Sequence, residues 1–134
     1  MPHLRFETSV TPPDRPKFVE WVTAQFADVM ETGTGHVGVS LRVCDRADLS
    51  LGRAAGDEAV VLVDADIRAG RTTEQRRTLA TSIIEFMSRE WGVPASNVYL
   101  VYTEHDGFDF HLEEGALASW DERETETGAG RQSE

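Results

Sequence analysis

The chain has 134 residues, a length that suits one domain around one core. It is 40% apolar and 28% charged, as soluble globular proteins are, and its net charge of −11 argues against nucleic acid and anionic membrane as partners. A single cysteine, Cys44, leaves no intramolecular disulfide and no multi-cysteine metal site; with no apolar run of about 18 residues and no signal-like N-terminus, the expected location is cytoplasmic.

Of the 13 basic residues only Lys17 is a lysine, a balance that suits either a high-salt cytoplasm or an arginine-favouring genome. The chain opens Met1-Pro2, and residues 3–8 alternate, with Leu4 and Phe6 on one face and Arg5 and Glu7 on the other. This is the pattern of a half-buried strand. Thr11-Pro12-Pro13-Asp14 breaks it and signals a helix start. Phe18, Val22, Phe26, Val29 and Met30 then recur at helical spacing. Thr32-Gly33-Thr34-Gly35 is expected to end that helix, with glycine supplying the left-handed cap. Val37, Val39, Leu41 and Val43 alternate with polar positions that include Arg42, a second strand.

Residues 45–58 read as a polar connection with a possible short strand near Leu49–Leu51. Residues 59–67 are apolar on both faces until Asp64 and Asp66, as a central strand is. Arg68-Ala69-Gly70-Arg71 is a turn, and Thr72 with Gln75 forms a capping box for a helix running to about Trp91. Gly92 and Pro94 stop it, and residues 98–103 form a fourth strand. Residues 107–120 carry Phe108, Phe110, Leu112, Leu117 and Trp120, which predicts a C-terminal hairpin or short strands rather than a free tail. Residues 121–134 hold five acids, two arginines and no large apolar side chain, the composition of a disordered acidic tail.

The order predicts an α/β (α+β) fold of two consecutive βαβ units, 3–44 and 59–103, within a single domain spanning 1–120. The halves repeat with an offset of about 57 residues, Leu4 against Val61. Each unit should have a right-handed crossover and parallel strands. Together they make a four-stranded mixed sheet with both helices on one face. Little remains to cover the other face, so a further subunit is its natural cover.

The N-terminus then acquires a chemical meaning. If Met1 is removed, Pro2 presents a secondary amine at a strand end, able to move a proton without another base. Arg42, Arg68 and Arg71 offer planar cationic forks for a carboxylate or 2-oxo acid. Structural readings stand beside each: Arg68 and Arg71 in a solvated turn pairing with Asp64, Asp66 or Glu74, and Arg42 paired with Asp45 or Asp64. Tyr102 either donates to an enolate oxygen or is an ordinary strand tyrosine. Glu104 and Glu113 either orient a water or sit solvated. His3, His36, His105 and His111 lack a metal-ligand spacing, although Asp106 and Asp109 lie near two of them. Gly33-Thr34-Gly35 lacks the pattern of a phosphate loop.

Met1-Pro2-His3, Thr32-Gly33, Arg42-Val43 and Ala69-Gly70-Arg71 with Glu74 and Arg76 together resemble the tautomerase superfamily. Their order and spacing are similar to 5-carboxymethyl-2-hydroxymuconate isomerase. Residues 97–102 look more like the macrophage migration inhibitory factor (MIF) branch, and Arg68 with Arg71 like the cis-3-chloroacrylic acid dehalogenase branch. The resemblance covers about residues 1–120 and implies the tautomerase/MIF-like fold, a homotrimer, no cofactor, and Pro2 as catalytic base. The expected activity is an isomerase (tautomerase) acting on a small anionic 2-hydroxy or 2-oxo (di)carboxylic acid, with Arg71, Arg68, Arg42 and Tyr102 as candidate substrate-binding residues. Dehalogenation, hydration or decarboxylation of a three-carbon acid is the close variant, and a non-enzymatic oligomeric binding protein the distant one.

Overall fold

The computed structural model describes residues 2–116. Strand β1 (Pro2–Thr8) leads through helix α1 (Arg15–Met30) to β2 (Gly38–Val43); β3 (Val61–Arg68) leads through α2 (Thr73–Trp91) to β4 (Val98–His105). The sheet order is β2-β1-β3-β4, with β1/β2 and β3/β4 parallel and β1/β3 antiparallel. This is the expected pair of βαβ units in a mixed sheet, and β3 is interior as its apolar run predicts. The chain then turns through Gly107–Asp109 into a small hairpin of β5 (His111–Leu112) and β6 (Gly115–Ala116). The predicted acidic tail at 121–134, with Leu117 and Trp120, lies outside the described residues.

Alternation sets which face each strand buries. Leu4, Phe6, Val61, Val63, Ala65 and Ile67 join the apolar sides of both helices in one core. Phe18 of α1 is at its centre, fully buried, its ring edge-on to Phe6 at 4.9 Å and 4.8 Å from Trp91 of α2. Aromatic pairs at these separations add attraction beyond area burial. The opposite face carries His3, Arg5 and Glu7 from β1, Asp64 and Asp66 from β3, and Tyr99 and Val101 from β4. No helix covers it within the described chain, and Tyr99 and Val101 are exposed there.

The helix ends have local causes. Asp14 caps α1 by accepting from the Lys17 N–H, with proline in the first turn. The Thr72/Gln75 capping box forms as its spacing predicts, and Gly92 closes α2 at φ 71°. Two expectations are corrected. The left-handed cap of α1 is Glu31 (φ 57°, ψ 53°), not a residue of 32–35: the core-facing stripe ends at Met30, and the chain must turn on the next residue. Near Leu49–Leu51 there is no strand but a 3₁₀ turn at Arg46–Asp48, with Leu49 buried. The Arg46 guanidinium donates to the carbonyls of Leu49, Ala55 and Glu58, which satisfies backbone acceptors that a strand would otherwise pair. Among the described residues no helix is long and apolar enough to cross a membrane.

Candidate active site

The start of β1 and the ends of β3 and β4 meet at one edge of the sheet, because Pro2 pairs with Ile67 and Arg68 with His105. A cleft of about 670 Å³ opens there. Pro2 lines it, buried at the first position of the strand. His3, Asp66 and His105 supply the sheet wall, Gly35–Gly38 form one rim, and Asp109–Leu112 form the other. Every histidine of the chain (His3, His36, His105 and His111) faces this one cleft.

Its best-defined polar feature is a chain of contacts across three strands. Nη2 of Arg5 donates to Oδ2 of Asp66 at 2.5 Å, and Nε2 of His105 lies 2.8 Å from Oδ1 of the same carboxylate. Hydrogen bonding from His105 holds the Asp66 carboxyl below its usual range; Arg5 acts in the same direction and partial burial opposes both. The carboxylate is therefore the acceptor, and Nε2 of His105 carries the proton. Nδ1 of His105 stands 3.9 Å from Oδ2 of Asp109, too far for a hydrogen bond, and the Phe110 ring meets the imidazole edge-on at 5.6 Å. Gly38 gives the opposite rim its shape: a β-carbon there would lie 2.8 Å from Cδ2 of His3.

The sequence-predicted residues are distributed unevenly. Arg68 ends β3 beside His105, and Arg71 follows the turn at Gly70 (φ 116°), so both are at the Pro2 end of the sheet, although neither is among the residues lining the cleft. Arg42 sits opposite Glu7, four residues along β2 from the rim at Gly38, or about 13 Å at strand rise. Tyr102 is on the helix side of β4, where its hydroxyl donates to the Arg76 carbonyl at 2.8 Å; burial pushes its pKa up to about 12. Glu104 pairs with Arg76, and Glu113 is exposed in the β5–β6 turn. No cluster of three or more His, Cys, Asp or Glu able to hold a metal occurs among the described residues. Sequence reasoning missed the Arg5–Asp66–His105 chain. Its only advance signal was that Asp66 and His105 are the last acid and the last histidine of two adjacent parallel strands.

The arrangement holds a strand-end proline, an imidazole–carboxylate pair and an accessible cavity together, which are parts for moving protons on a small molecule. No family model matches the chain, and no curated protein matches it in sequence. Solved structures match in fold. A macrophage migration inhibitory factor homologue from Prochlorococcus marinus superposes with a TM-score of 0.74 at 10% identity, over 85% of this chain and 97% of that one. An FG41 malonate semialdehyde decarboxylase inhibited by 3-bromopropiolate gives 0.70 at 21% identity over 91% and 96%. A fused 4-OT in a symmetric trimer gives 0.72 at 20% over 88% and 95%. The chain thus has the tautomerase/MIF-like fold that the sequence resemblance implied.

Proposed function

We propose that the protein is a cofactor-free tautomerase that moves a proton on a small 2-hydroxy or 2-oxo (di)carboxylic acid, with Pro2 as general base once Met1 is removed. The observation that carries this is the position of Pro2, buried at the head of β1 and lining the cleft. An α-amino group titrates at about 7.7–8.0, and burial disfavours its charged form, so a prolyl amine there is both neutral enough and basic enough to take a proton from carbon. The C–H electrons pass to the neighbouring carbonyl oxygen, and the proton returns at oxygen or at a second carbon. Arg68 and Arg71, brought to the same end of the sheet, are the candidates for holding the carboxylate.

Self-association belongs to the same reading. The uncovered face, with Tyr99 56% and Val101 43% exposed, calls for a partner, and the fused 4-OT neighbour is a trimer. A homotrimer is expected to sediment at about three subunit masses in both physiological and molar salt; a monomer in both sinks the assembly. One second reading is favoured by a specific neighbour, the malonate semialdehyde decarboxylase likeness across 91% of the chain. In that case Pro2 acts protonated, as an acid, in decarboxylation, hydration or dehalogenation of a three-carbon acid.

The test has two stages. Intact mass determines whether Met1 is present; a mature chain that keeps it has no prolyl amine, and a non-enzymatic binding protein becomes the better reading. If Met1 is absent, Pro2→Ala is expected to lower phenylpyruvate or 2-hydroxymuconate ketonisation by about 10²–10⁴-fold. Unchanged ketonisation defeats the proposal. Enolisation, read as deuterium uptake from solvent at C3, that requires the protonated amine moves the assignment to the acid reading.

A further inference from the structure

We propose that His105 is the second proton-transfer residue of this cleft. It delivers a proton from Nδ1 to the substrate oxygen on which charge develops as Pro2 takes a proton from carbon. This rests on the reading of Pro2 as the base, and it adds the acid partner which that chemistry requires. As the C–H bond breaks, its electron pair forms the new C=C bond. The carbonyl π pair moves to oxygen, and that oxygen bonds the Nδ1 proton, leaving neutral imidazole and a prolyl ammonium. The reverse transfers restore both groups.

The geometry separates His105 from the other three histidines. Asp66 accepts from Nε2, and Arg5 donates to the other oxygen of the same carboxylate, which opposes its rotation. That fixes the tautomer and leaves Nδ1 as the nitrogen that gains and loses a proton. The Phe110 ring stands perpendicular to the imidazole at 5.6 Å, and the His105 side chain remains 31% exposed, on the cleft. The charged and titratable groups around it come from every neighbouring element. They are Asp66 and Arg68 of β3, Arg5 and His3 of β1, Asp109 and His111 of the C-terminal segment, and His36 on the opposite rim. A purely structural imidazole–carboxylate pair would link β4 to β3 equally well, so the experiment must read proton transfer and not only stability.

The full-length protein, its Met1 status verified by mass, is assayed for phenylpyruvate enolisation, followed as solvent-deuterium incorporation at C3, between pH 5 and 10. The wild-type kcat should show two limbs. His105→Gln should lower kcat by about 10²-fold or more with KM little changed, and the alkaline limb should vanish, leaving a profile that rises to a plateau. Asp66→Asn should lower kcat by about tenfold or more while keeping a folded chain, because an amide no longer enforces the tautomer. A His105→Gln enzyme within threefold of wild type, or one that loses rate but keeps both limbs, overturns the proposal. In either case a Pro2→Ala loss leaves the base assignment standing. Absence of deuterium exchange in the wild type overturns both assignments.

Discussion

Nε2 of His105, the last residue of β4, stands 2.8 Å from Oδ1 of Asp66 in β3, two residues beyond the in-register partner of Asp66, Thr103. The contact gives stability a defined pH signature. The Asp66 carboxyl titrates below its usual range, first because of His105 and then because of Arg5. A depressed carboxyl contributes stability that is fully present above its unfolded value, about 3.9, and is lost as pH falls through the folded value. Glu58 and Glu90 are also shifted down, by hydrogen bonds led by the Ala55 N–H and Arg89 respectively, and they contribute to the same acid slope. Comparison with Asp66→Asn therefore isolates one group. Thermal midpoints followed from pH 6 to about pH 2.5 should fall more steeply in wild type than in the variant. Parallel curves would mean that the Asp66 contacts add nothing to the folded state.

Gly38 has space for a side chain only if His3 moves, since the added β-carbon would meet the imidazole at 2.8 Å. The His3 ring is a mobile end on an exposed residue, so the strain is relieved by rotation and not by backbone movement. Gly38→Ala should therefore leave stability within about 1 kcal/mol of wild type, helped by the lower entropy of an unfolded alanine. The ring that must move is one that lines the cleft. A loss of about tenfold in kcat/KM is expected, inside the range that ångström-scale misplacement near a reacting centre produces. Denaturant titration and steady-state kinetics on the same sample check both halves.

Much of this architecture is legible in the sequence. Alternation at Leu4/Phe6 and the long apolar run through Val61–Ile67 are local consequences of which face a strand buries, and they gave the strands and their layer. The Thr72/Gln75 box is local too, and it formed where its spacing placed it. The α1 cap does not follow the glycines, because glycine preference is statistical whereas the turn is imposed by where the buried stripe ends; Glu31 takes the left-handed conformation although Gly33 is two residues away. The His105–Asp66 pair spans 39 residues and exists only through the parallel register of β3 and β4. No window of sequence contains it. Residue type makes Tyr102 a candidate, and the polar strand face and the family spacing make Arg42 one; strand parity sets Tyr102 against α2, and register sets Arg42 well along β2 from the cleft rim.

Tyr102→Phe separates a structural from a chemical use of that hydroxyl. It donates to the Arg76 carbonyl, and with its pKa raised to about 12 it remains protonated throughout an ordinary assay range. Removing it should cost about 0.5–1.5 kcal/mol of stability, the net value of one hydrogen bond, plus any penalty for the carbonyl left behind. Turnover should remain within about twofold and the alkaline limb should persist, because a group titrating this high is outside it. A Phe variant that loses the limb would transfer the proton-donor role from His105 to Tyr102.

Glu31 carries the strain of a left-handed conformation, φ 57°, that glycine adopts without the clash of a β-carbon. Its own N–H remains bonded to the carbonyls of Ala27 and Asp28, so the cap geometry does not depend on the side chain. Glu31→Gly should raise stability by about 0.5–1 kcal/mol, the relief of the left-handed clash exceeding the entropy added to the unfolded chain. It also removes an acid from the negative end of the α1 dipole, which acts in the same direction. An unchanged or lower midpoint in urea would show that a contact of the carboxylate outweighs both effects.

Phe18 joins three elements at once: it meets Phe6 of β1 edge-on, and it lies 5.6 Å from Phe86 and 4.8 Å from Trp91 of α2. Its burial is complete, so truncation removes both transfer energy and packing, and the surrounding rings cannot all collapse into the gap. Phe18→Ala should cost about 3–5 kcal/mol, a large part of the stability of a domain this size. Phe18→Leu retains most of the volume and should cost less than half as much, because the ring contacts are lost but little cavity forms. The cleft is at the far end of β1 from this contact, so the Leu variant should keep its pH–rate profile at temperatures where it remains folded. A profile altered in Phe18→Leu would mean that core packing reaches Pro2 through β1, and that sheet pairing alone does not hold Pro2 rigidly.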